Sequence, residues 1–231
     1  MSYLNIKKLH IFDKDKKLVD ISIDMKGSTA LIGQSGSGKS LTLKSILNLL
    51  PSNLKSVYEV DSNFEHSREN IGFVPQNPFT SLSPMTKIKK QFFCTNDKKL
   101  ELLQLVGLET WVLNRFPTQL SGGQLQRVVI AISLSSNPKL LLLDEPTTAL
   151  DNKSKKVILE LLEQLQEKLD ILLLFVTHDI HSIKDICENI VIIKDGIVIE
   201  KGKTSQILQS PNSSYTKQLL ESTFENKDFR K

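Results

Sequence analysis

The sequence predicts a mixed α/β fold, and three observations support it. Apolar runs of strand length stand at 28–32, 140–143 and 171–176, and each is followed by polar or glycine residues. Between such runs, apolar residues recur at the helical period, most clearly in 153–169. Near the N-terminus the pattern alternates between polar and apolar residues instead, which is typical of antiparallel strands with one covered face. We therefore expect buried parallel strands, covering helices and an antiparallel part.

Composition narrows the class of protein. The chain has 231 residues, of which 39% are hydrophobic and 24% charged, a balance that favours a globular core over disorder. Apolar runs fall far short of the ~20 residues of a membrane helix, and no signal region is visible. Cys94 and Cys187 lack metal-binding spacing, so we expect free thiols in a cytosolic chain. The net charge of +4 comes from scattered lysines without interleaved aromatics, which favours a solvated surface over nucleic-acid binding.

The first strands are predicted from alternation. Residues 3–9 and 18–25 alternate, and the lysine-rich break at 14–17 between them predicts an antiparallel pair. Phe12 lies near this connection. Its ring could stack on an adenine or cap the sheet edge, and the sequence favours neither.

A glycine-rich loop follows the strand predicted over 28–32. Gly33, Gly38, Lys39 and Ser40 match G-x-x-x-x-G-K-[ST], and a helix is predicted over 41–50. In such loops, backbone N–H groups and the helix N-terminus bind phosphate, the lysine contacts the β- and γ-phosphates, and the serine hydroxyl holds Mg²⁺. A glycine turn that binds nothing is the alternative. The complete motif between strand and helix favours nucleotide binding.

The middle of the chain is less regular. Residues 52–70 are polar, with Val57, Val60 and Phe64 as possible strand residues. Beyond them, the patterns predict a strand over 71–76 ending in Gln76, an ordered loop over 77–84, helices over 88–93 and 100–106, and a helix end at Gly107.

Ser121, Gly122, Gly123 and Gln124 precede a strongly helical pattern. Ser121 is a suitable N-cap. A helix N-terminus with two glycines can bind an anion, although a plain capped helix also explains these residues.

Polar residues follow two of the buried strands. Asp144 and Glu145 come after 140–143, and His178 comes after 171–176. Open α/β sheets place their ligands at these strand ends, and burying two acids is costly without a cation or a proton-transfer role. We assign Mg²⁺ binding to Asp144 and water activation to Glu145. His178 is placed to touch a γ-phosphate or orient the attacking water, although a lone histidine is usually structural.

The C-terminal part predicts a hairpin and two helices. Asp195 and Gly196 separate the apolar runs 190–193 and 197–199, which is a strong hairpin signal. Helices are predicted over 205–209 and 215–222, followed by a polar tail that frays.

Taken in order, these motifs resemble the nucleotide-binding subunit of ABC transporters. The most specific are the LSGGQ run at 120–124 and the acidic strand end after it. The resemblance implies a P-loop NTPase core of the ABC ATPase type, with an antiparallel β subdomain and an inserted α-helical subdomain. It implies a single domain over 1–231, with core segments 1–76 and 139–231 and the helical subdomain at 77–138.

The resemblance also implies a head-to-tail dimer, in which ATP lies between the phosphate loop of one subunit and the LSGGQ run of the other. Gln76 is then a Mg²⁺ and water contact beside Ser40 and Asp144, Glu145 the general base, His178 the switch histidine and Asp151 the contact between sites. The implied nucleotide contacts are Phe12, Gly33, Gln34, Ser35, Gly36, Ser37, Gly38, Lys39, Ser40 and Leu41 on one side, and Ser121, Gly122, Gly123 and Gln124 on the other.

Residues 77–84, 144–151 and 210–220 look like the peptide/nickel importer ATPases. The lack of a cysteine-bearing extension favours the shorter, nickel-type members and argues against an iron–sulfur cluster, whereas the short segment between Ser40 and Gln76 leaves the details of the antiparallel subdomain open. The implied protein is an importer ATPase at the cytoplasmic face of the inner membrane. Its expected partners are permease subunits, a second identical or different ATPase subunit and, indirectly, a substrate-binding protein that helps select the solute, with no nucleic acid.

Two alternatives are weaker. Soluble ABC ATPases of translation or DNA maintenance usually carry two cassettes or a long coiled coil, whereas this chain shows one cassette without heptads. A degenerate regulatory cassette is disfavoured because Glu145 and His178 are intact.

For coupling to the permease, Phe79 and Leu82 are expected either to be exposed as a docking surface or to fold inward and anchor the helical subdomain.

Overall fold

The structure is a computed structural model that describes residues 2–225. Its strands are β1 (Leu4–Asp13), β2 (Lys16–Met25), β3 (Ser28–Ile32), β4 (Leu54–Ser62), β5 (Ile71–Val74), β6 (Leu140–Asp144), β7 (Leu172–Thr177), β8 (Asn189–Lys194) and β9 (Ile197–Lys203). The helices are α1 (Lys39–Ile46), α2 (Pro78–Ser81), α3 (Asn96–Leu105), α4 (Gly122–Ser133), α5 (Asn152–Lys168), α6 (Ile180–Ile183), α7 (Thr204–Gln209) and α8 (Ser214–Glu225). Short 3₁₀ segments lie at Ile88–Lys90, Thr110–Asn114 and Pro117–Gln119.

These elements form two compact units. The terminal unit contains residues 2–65 and 172–225, and the central unit contains residues 66–171. In the terminal unit the strand order is β4-β1-β2-β9-β8-β3-β7. The strands β8, β3 and β7 are parallel, whereas β1 pairs antiparallel with both β2 and β4. The mixed parallel and antiparallel character expected from the sequence is confirmed.

The buried parallel strands β3 and β7 lie where the apolar runs predicted them. All residues of both strands are buried, as expected for parallel strands whose two faces are covered. Ile32 pairs with Thr177, so the two strands end at the same level. The residues that follow them therefore emerge at one edge of the sheet.

The two N-terminal strands lie where the alternating pattern predicted them, and both are longer than the predicted segments. The side chains of β1 alternate, with Leu4, Ile6, Leu9 and Ile11 buried. The polar segment after residue 52 contains strand β4, which pairs with β1 along its full length. Its weak pattern is explained by its position at the edge of the sheet, where most of its residues stay solvated.

The helix predicted over 41–50 lies closer to the N-terminus than expected: α1 runs over Lys39–Ile46. Leu47 is the C-cap, and Asn48 has a φ of 55°, a left-handed conformation that asparagine tolerates and that ends a helix. Leu49, which lies within the predicted helix, is outside α1 and 57% exposed.

In the central unit, β5 and β6 are parallel and the register pairs Val74 with Leu143. Helix α5 buries Ile158, Leu161, Leu162 and Leu165, as its period predicted. Val157 was expected on the same face and is 41% exposed instead. It lies at the margin of the apolar stripe, where one residue of a helical pattern can face outward.

The segment between β5 and α4 is partly regular. The loop predicted over 77–84 contains one helical turn, α2, because the Asn77 side chain accepts a hydrogen bond from the Phe79 N–H (2.9 Å). Only Ile88–Lys90 of the predicted helix 88–93 is helical, as a 3₁₀ turn. Gly107 has a φ of 64° and follows α3, as predicted for a helix end.

Within residues 2–225 no helix has the length and apolar character needed to cross a membrane. The polar tail expected to fray lies largely beyond this range, at residues 226–231.

Candidate functional site

The phosphate loop of the terminal unit connects β3 to α1. Gly36 and Gly38 have φ values of 82° and 105°, conformations that strain residues with a side chain. Gly33 is required for a different reason, because a Cβ there would lie 2.3 Å from the Ile193 carbonyl oxygen and 2.5 Å from the Ser37 Oγ. The glycines therefore shape this loop as the motif predicted.

Lys39 is the first residue of α1 and is nearly buried. Its Nζ donates to the carbonyl oxygens of Gly33 (2.6 Å) and Gln34 (2.9 Å). The positively charged ammonium group of Lys39 therefore lies against the backbone of the loop. Ser40 follows with an exposed side chain at the helix N-terminus, where a hydroxyl can reach a ligand.

Distant residues brace this loop. The Gly196 N–H donates to the Ser37 carbonyl oxygen (3.0 Å), and the Gly196 carbonyl accepts from the Asp20 N–H (2.7 Å). The Gln34 N–H donates to the hydroxyl of Tyr215 (3.3 Å). Sequence reasoning found the Asp195–Gly196 hairpin but missed both contacts with the loop. No local signal announces a contact 181 residues away.

Gly196 must be glycine in this arrangement. Asp195 and Gly196 have φ values of 50° and 78°, as in the two-residue turns that favour Asp-Gly. A Cβ at Gly196 would lie 1.9 Å from the Leu18 carbonyl oxygen. The hairpin predicted from the sequence is confirmed, and its tip lies against the loop and β2.

Phe12 lies within β1, with its ring half-buried. The His10 ring meets it edge-on at 6.0 Å between centroids, and His10 Nε2 is 2.9 Å from Asp20 Oδ1. The Phe12 ring is therefore held by a neighbour that is itself anchored. Adenine stacking by Phe12 stays a prediction.

His178 follows β7 directly and has an exposed side chain. Because Ile32 pairs with Thr177, His178 and Gly33 are the residues that come next on neighbouring parallel strands. This is the strand-end position that the sequence indicated for a histidine near a nucleotide.

In the central unit, Asp144 is the last residue of β6 and Glu145 comes next. The pairing of Val74 with Leu143 places Gln76 level with Glu145, and Gln76 Nε2 donates to Glu145 Oε2 (2.9 Å). Thr148 Oγ1 donates to the same oxygen (3.1 Å). The structure thus brings together two of the predicted residues, Gln76 and Glu145, and adds Thr148.

The residues expected to bind Mg²⁺ suit a hard cation in their chemistry. Ser40 offers a hydroxyl, Asp144 a carboxylate and Gln76 an amide oxygen, because the Gln76 amide nitrogen is the atom that bonds Glu145. Among the side chains that the structure describes, no cluster of three or more from His, Cys, Asp or Glu could hold a metal. Mg²⁺ typically takes one or two protein oxygens together with phosphates and water.

Ser121 caps α4 as predicted. Its Oγ accepts from the Gln124 N–H (3.3 Å), and Gln124 Oε1 accepts from the Ser121 N–H (2.9 Å), which completes a capping box. A Cβ on Gly123 would lie 2.8 Å from Ser154 Oγ, so this glycine lets the start of α4 approach the start of α5. Two helix N-termini therefore open towards one cavity.

This cavity measures about 360 Å³ and is lined by residues from both helix starts, among them Ser121, Gly123, Gln124, Asp151 and Lys153. The N-terminus of α4 carries partial positive charge, and Lys153 and Arg127 add two full charges, whereas Asp151 contributes one negative charge and caps the N–H groups of α5. The surface is suited to an anion presented from outside.

Asp151 is the N-cap of α5. Its Oδ1 accepts from the N–H groups of Lys153 and Ser154 (3.0 Å each), and its Oδ2 accepts from Ser154 Oγ (2.7 Å). These hydrogen bonds, led by that of the Ser154 side chain, hold the pKa of the Asp151 carboxyl below its usual value. The observed role is capping, and a contact between two ATP sites stays a prediction.

Residues 17–148 match the family model described as ABC transporter. Among curated relatives, the Bacillus subtilis oligopeptide transport ATP-binding protein OppD is 35% identical over 88% of this chain and 65% of its own length. The methionine import ATP-binding protein MetN 1 of Oceanobacillus iheyensis is 36% identical over 94% and 70%. The metal-staphylopine import system ATP-binding protein CntD of Staphylococcus aureus is 34% identical over 95% and 93%.

The chain thus spans just under two thirds of the length of OppD. Among solved structures, cbiO1 from Clostridium perfringens, part of the ABC transporter complex cbiONQ, superposes with a TM-score of 0.77 at 26% identity. That similarity covers 100% of this chain and 96% of cbiO1.

Proposed function

The chain belongs to the ABC transporter family, and from this premise we propose that it is an importer subunit that hydrolyses ATP to drive uptake of a small solute. The observation that carries the proposal is the phosphate loop, in which left-handed Gly36 and Gly38 lead to Lys39, whose ammonium lies on the loop backbone. Such a loop is built to bind the phosphates of a nucleotide.

In the proposed reaction the loop and Lys39 bind the β- and γ-phosphates. Glu145 takes a proton from a water molecule as its oxygen attacks the γ-phosphorus, and the bond to the bridging oxygen of ADP breaks. His178 contacts the γ-phosphate or orients the water. Mg²⁺, held by Ser40, Gln76 and Asp144, would neutralise the phosphate charge when bound.

We propose that the second half of each ATP site comes from another ATPase subunit. Ser121, Gly122, Gly123 and Gln124 at the start of α4 would contact the partner's γ-phosphate, and Asp151 would contact the neighbouring site. The open cavity at the start of α4 supports this proposal, because the helix N-terminus, the Ser121 hydroxyl and the cations Arg127 and Lys153 suit an anion.

The proposed setting is the cytoplasmic face of the membrane, with permease subunits and, through them, a solute-binding protein. The names of the relatives support import, because OppD, MetN and CntD are named for transport of oligopeptide, import of methionine and import of metal-staphylopine. For this chain we propose a peptide or a metal complex, nickel among the candidates. Co-purification with the neighbouring permease subunits, followed by uptake assays with labelled peptides and metals, tests the solute class.

Lys39→Ala is expected to weaken ATP binding by about 10- to 100-fold, because hydrogen bonds from a charged group contribute roughly 1.5–3 kcal/mol. Equilibrium binding of a fluorescent ATP analogue measures the change. Lys44→Ala is the matched control, since Lys44 is an exposed lysine on the same helix. Equal affinity in wild type and Lys39→Ala would count against the phosphate-loop assignment.

The loop from Gln76 to Pro84 and the helical stretch after it are proposed to couple ATP hydrolysis to the permease. Phe79 is 49% exposed and is available for docking. Leu82 is buried, so the prediction that both residues form an exposed docking surface is wrong for Leu82. Leu82 folds inward, as the alternative interpretation held. Burying the leucine removes its apolar surface from water, and this hydrophobic stabilisation outweighs the polar character of the loop around it.

Phe79→Asp is therefore expected to leave the melting temperature and ATP binding unchanged while lowering retention of the permease subunits in a pull-down at least fivefold. Leu49→Asp is the matched control, because Leu49 is an apolar residue that is 57% exposed and lies in the terminal unit. Leu82→Asp should instead lower the melting temperature. A collapse of stability in Phe79→Asp would reassign Phe79 to the core.

A further inference from the structure

We infer that Thr148 is a positioning residue that orients Glu145 for proton abstraction. The inference rests on the proposed ATPase function and deepens it, because Thr148 itself contacts neither nucleotide nor metal in the proposed reaction. It acts through the carboxylate of Glu145. Three features of the central unit carry it.

The first feature is the backbone at Glu145. Its φ is 45°, a left-handed conformation that non-glycine residues adopt rarely and mostly where the surroundings enforce it. This conformation turns the chain sharply after the last residue of β6. The turn is closed by a hydrogen bond from the Thr148 N–H to the Glu145 carbonyl oxygen (3.2 Å).

The second feature is the side chain of Thr148, which this turn brings close to the side chain of Glu145, the first residue of the turn. Thr148 Oγ1 donates to Glu145 Oε2 at 3.1 Å, so residue 148 bonds both the backbone and the side chain of residue 145. Thr148 is exposed, which means that its hydroxyl is not needed to fill the core. A threonine has only a few staggered rotamers, so this donor is well defined in direction.

The third feature is a donor from the neighbouring strand. Gln76 Nε2 bonds the same Oε2 at 2.9 Å, and the β5–β6 register sets Gln76 level with Glu145. One carboxylate oxygen is thus fixed from two directions, by a local turn and by an adjacent strand. Fixing one oxygen fixes the plane of the carboxylate and hence the direction in which it accepts a proton.

Loss of the Thr148 hydroxyl should therefore change the chemical step more than the binding of ATP. Thr148→Val keeps the shape of the side chain and removes the donor, and we expect kcat to fall about five- to tenfold with the KM for ATP within twofold of wild type. Thr148→Ser keeps the donor and should restore kcat to within twofold. Thr148→Ala is a second test of donor loss.

The experiment measures steady-state ATP hydrolysis, ATP affinity and melting temperature for wild type and the three variants, with Thr110→Val as control. Thr110 is an exposed threonine elsewhere in the central unit and should give wild-type kinetics. Wild-type kcat in Thr148→Val, or an equal loss in Thr148→Ser, would overturn the inference. A raised KM with unchanged kcat would also overturn it.

The two levels of hypothesis are separable in this assay. If wild type, assayed with its permease subunits, hydrolyses no ATP, the proposed function fails and the inference falls with it. If wild type hydrolyses ATP, Glu145→Gln abolishes hydrolysis and Thr148→Val has no effect, only the role of Thr148 is rejected.

Discussion

Glu145→Gln is expected to lower ATP turnover by about 10²- to 10⁴-fold, the range that a positioned general base contributes. The substitution changes the chemistry and little else. A glutamine side chain has the same shape and keeps an oxygen that can accept from Gln76 and Thr148, the two donors on the present carboxylate. An amide oxygen cannot serve as a base at neutral pH, so the water attack loses its proton acceptor while the phosphate loop stays intact.

The variant should therefore bind Mg·ATP with an affinity close to that of wild type and retain it through gel filtration. Phosphate release and retained radiolabelled nucleotide are the two measurements. Glu160→Gln provides the matched control, because Glu160 is an exposed glutamate of α5 that contacts Lys156 (3.7 Å). Undiminished turnover in Glu145→Gln would remove this residue from the role of base.

Much of the candidate site could be predicted because its residues follow strands in the sequence. Gly33 and His178 come directly after β3 and β7, and Glu145 follows β6. An apolar run followed by a polar residue marks the end of a buried strand, and parallel strands end at one edge of a sheet. Local sequence therefore carries the position of each of these residues within its own unit.

The contacts that hold these residues in place were beyond the reach of the sequence. Tyr215 reaches the phosphate loop from the last helix, and Gly196 reaches it from a hairpin tip. Both contacts depend on how distant segments pack, which no periodicity records. Thr148 was missed for a different reason, because its bond to Glu145 depends on the left-handed backbone of that residue.

Errors in the predicted elements have a common physical origin. Leu49 and Val157 continue a helical period, but a period shows only that a residue could lie on the apolar face. Asn48 ends α1 through its own backbone conformation, and Val157 lies at the edge of the covered stripe. Leu82 is the opposite case, because it is buried although it lies in a loop of mostly polar residues.

The start of α4 has a double role that bears on assembly. Ser121 caps the helix through the Gln124 N–H, so its hydroxyl is already fixed in the isolated subunit, while its side chain remains exposed at the cavity shared with α5. A donor surface that is preformed needs little reorganisation when an anion arrives. In the proposed dimer that anion is the γ-phosphate held by the phosphate loop of the partner subunit.

Ser121→Arg should consequently abolish ATP-driven dimerisation. In the Glu145→Gln background, where ATP persists, light scattering with Mg·ATP is expected to show a dimer and without nucleotide a monomer. Arginine at 121 removes the cap and extends a long side chain into the cavity where the partner's triphosphate would sit. Because a lost N-cap also costs about 0.5–2 kcal/mol of stability, Ser121→Ala separates capping from obstruction and should weaken the dimer without abolishing it.

Ser52→Arg, at an exposed turn of the terminal unit, controls for the added charge and should dimerise like its parent. Circular dichroism must show that Ser121→Arg stays folded, and its affinity for ATP as a monomer should match that of Glu145→Gln, since the phosphate loop lies in the other unit. A monomer in the Glu145→Gln parent at saturating Mg·ATP would contradict the sandwich itself. A dimer that survives Ser121→Arg would instead place the contact elsewhere than at the start of α4.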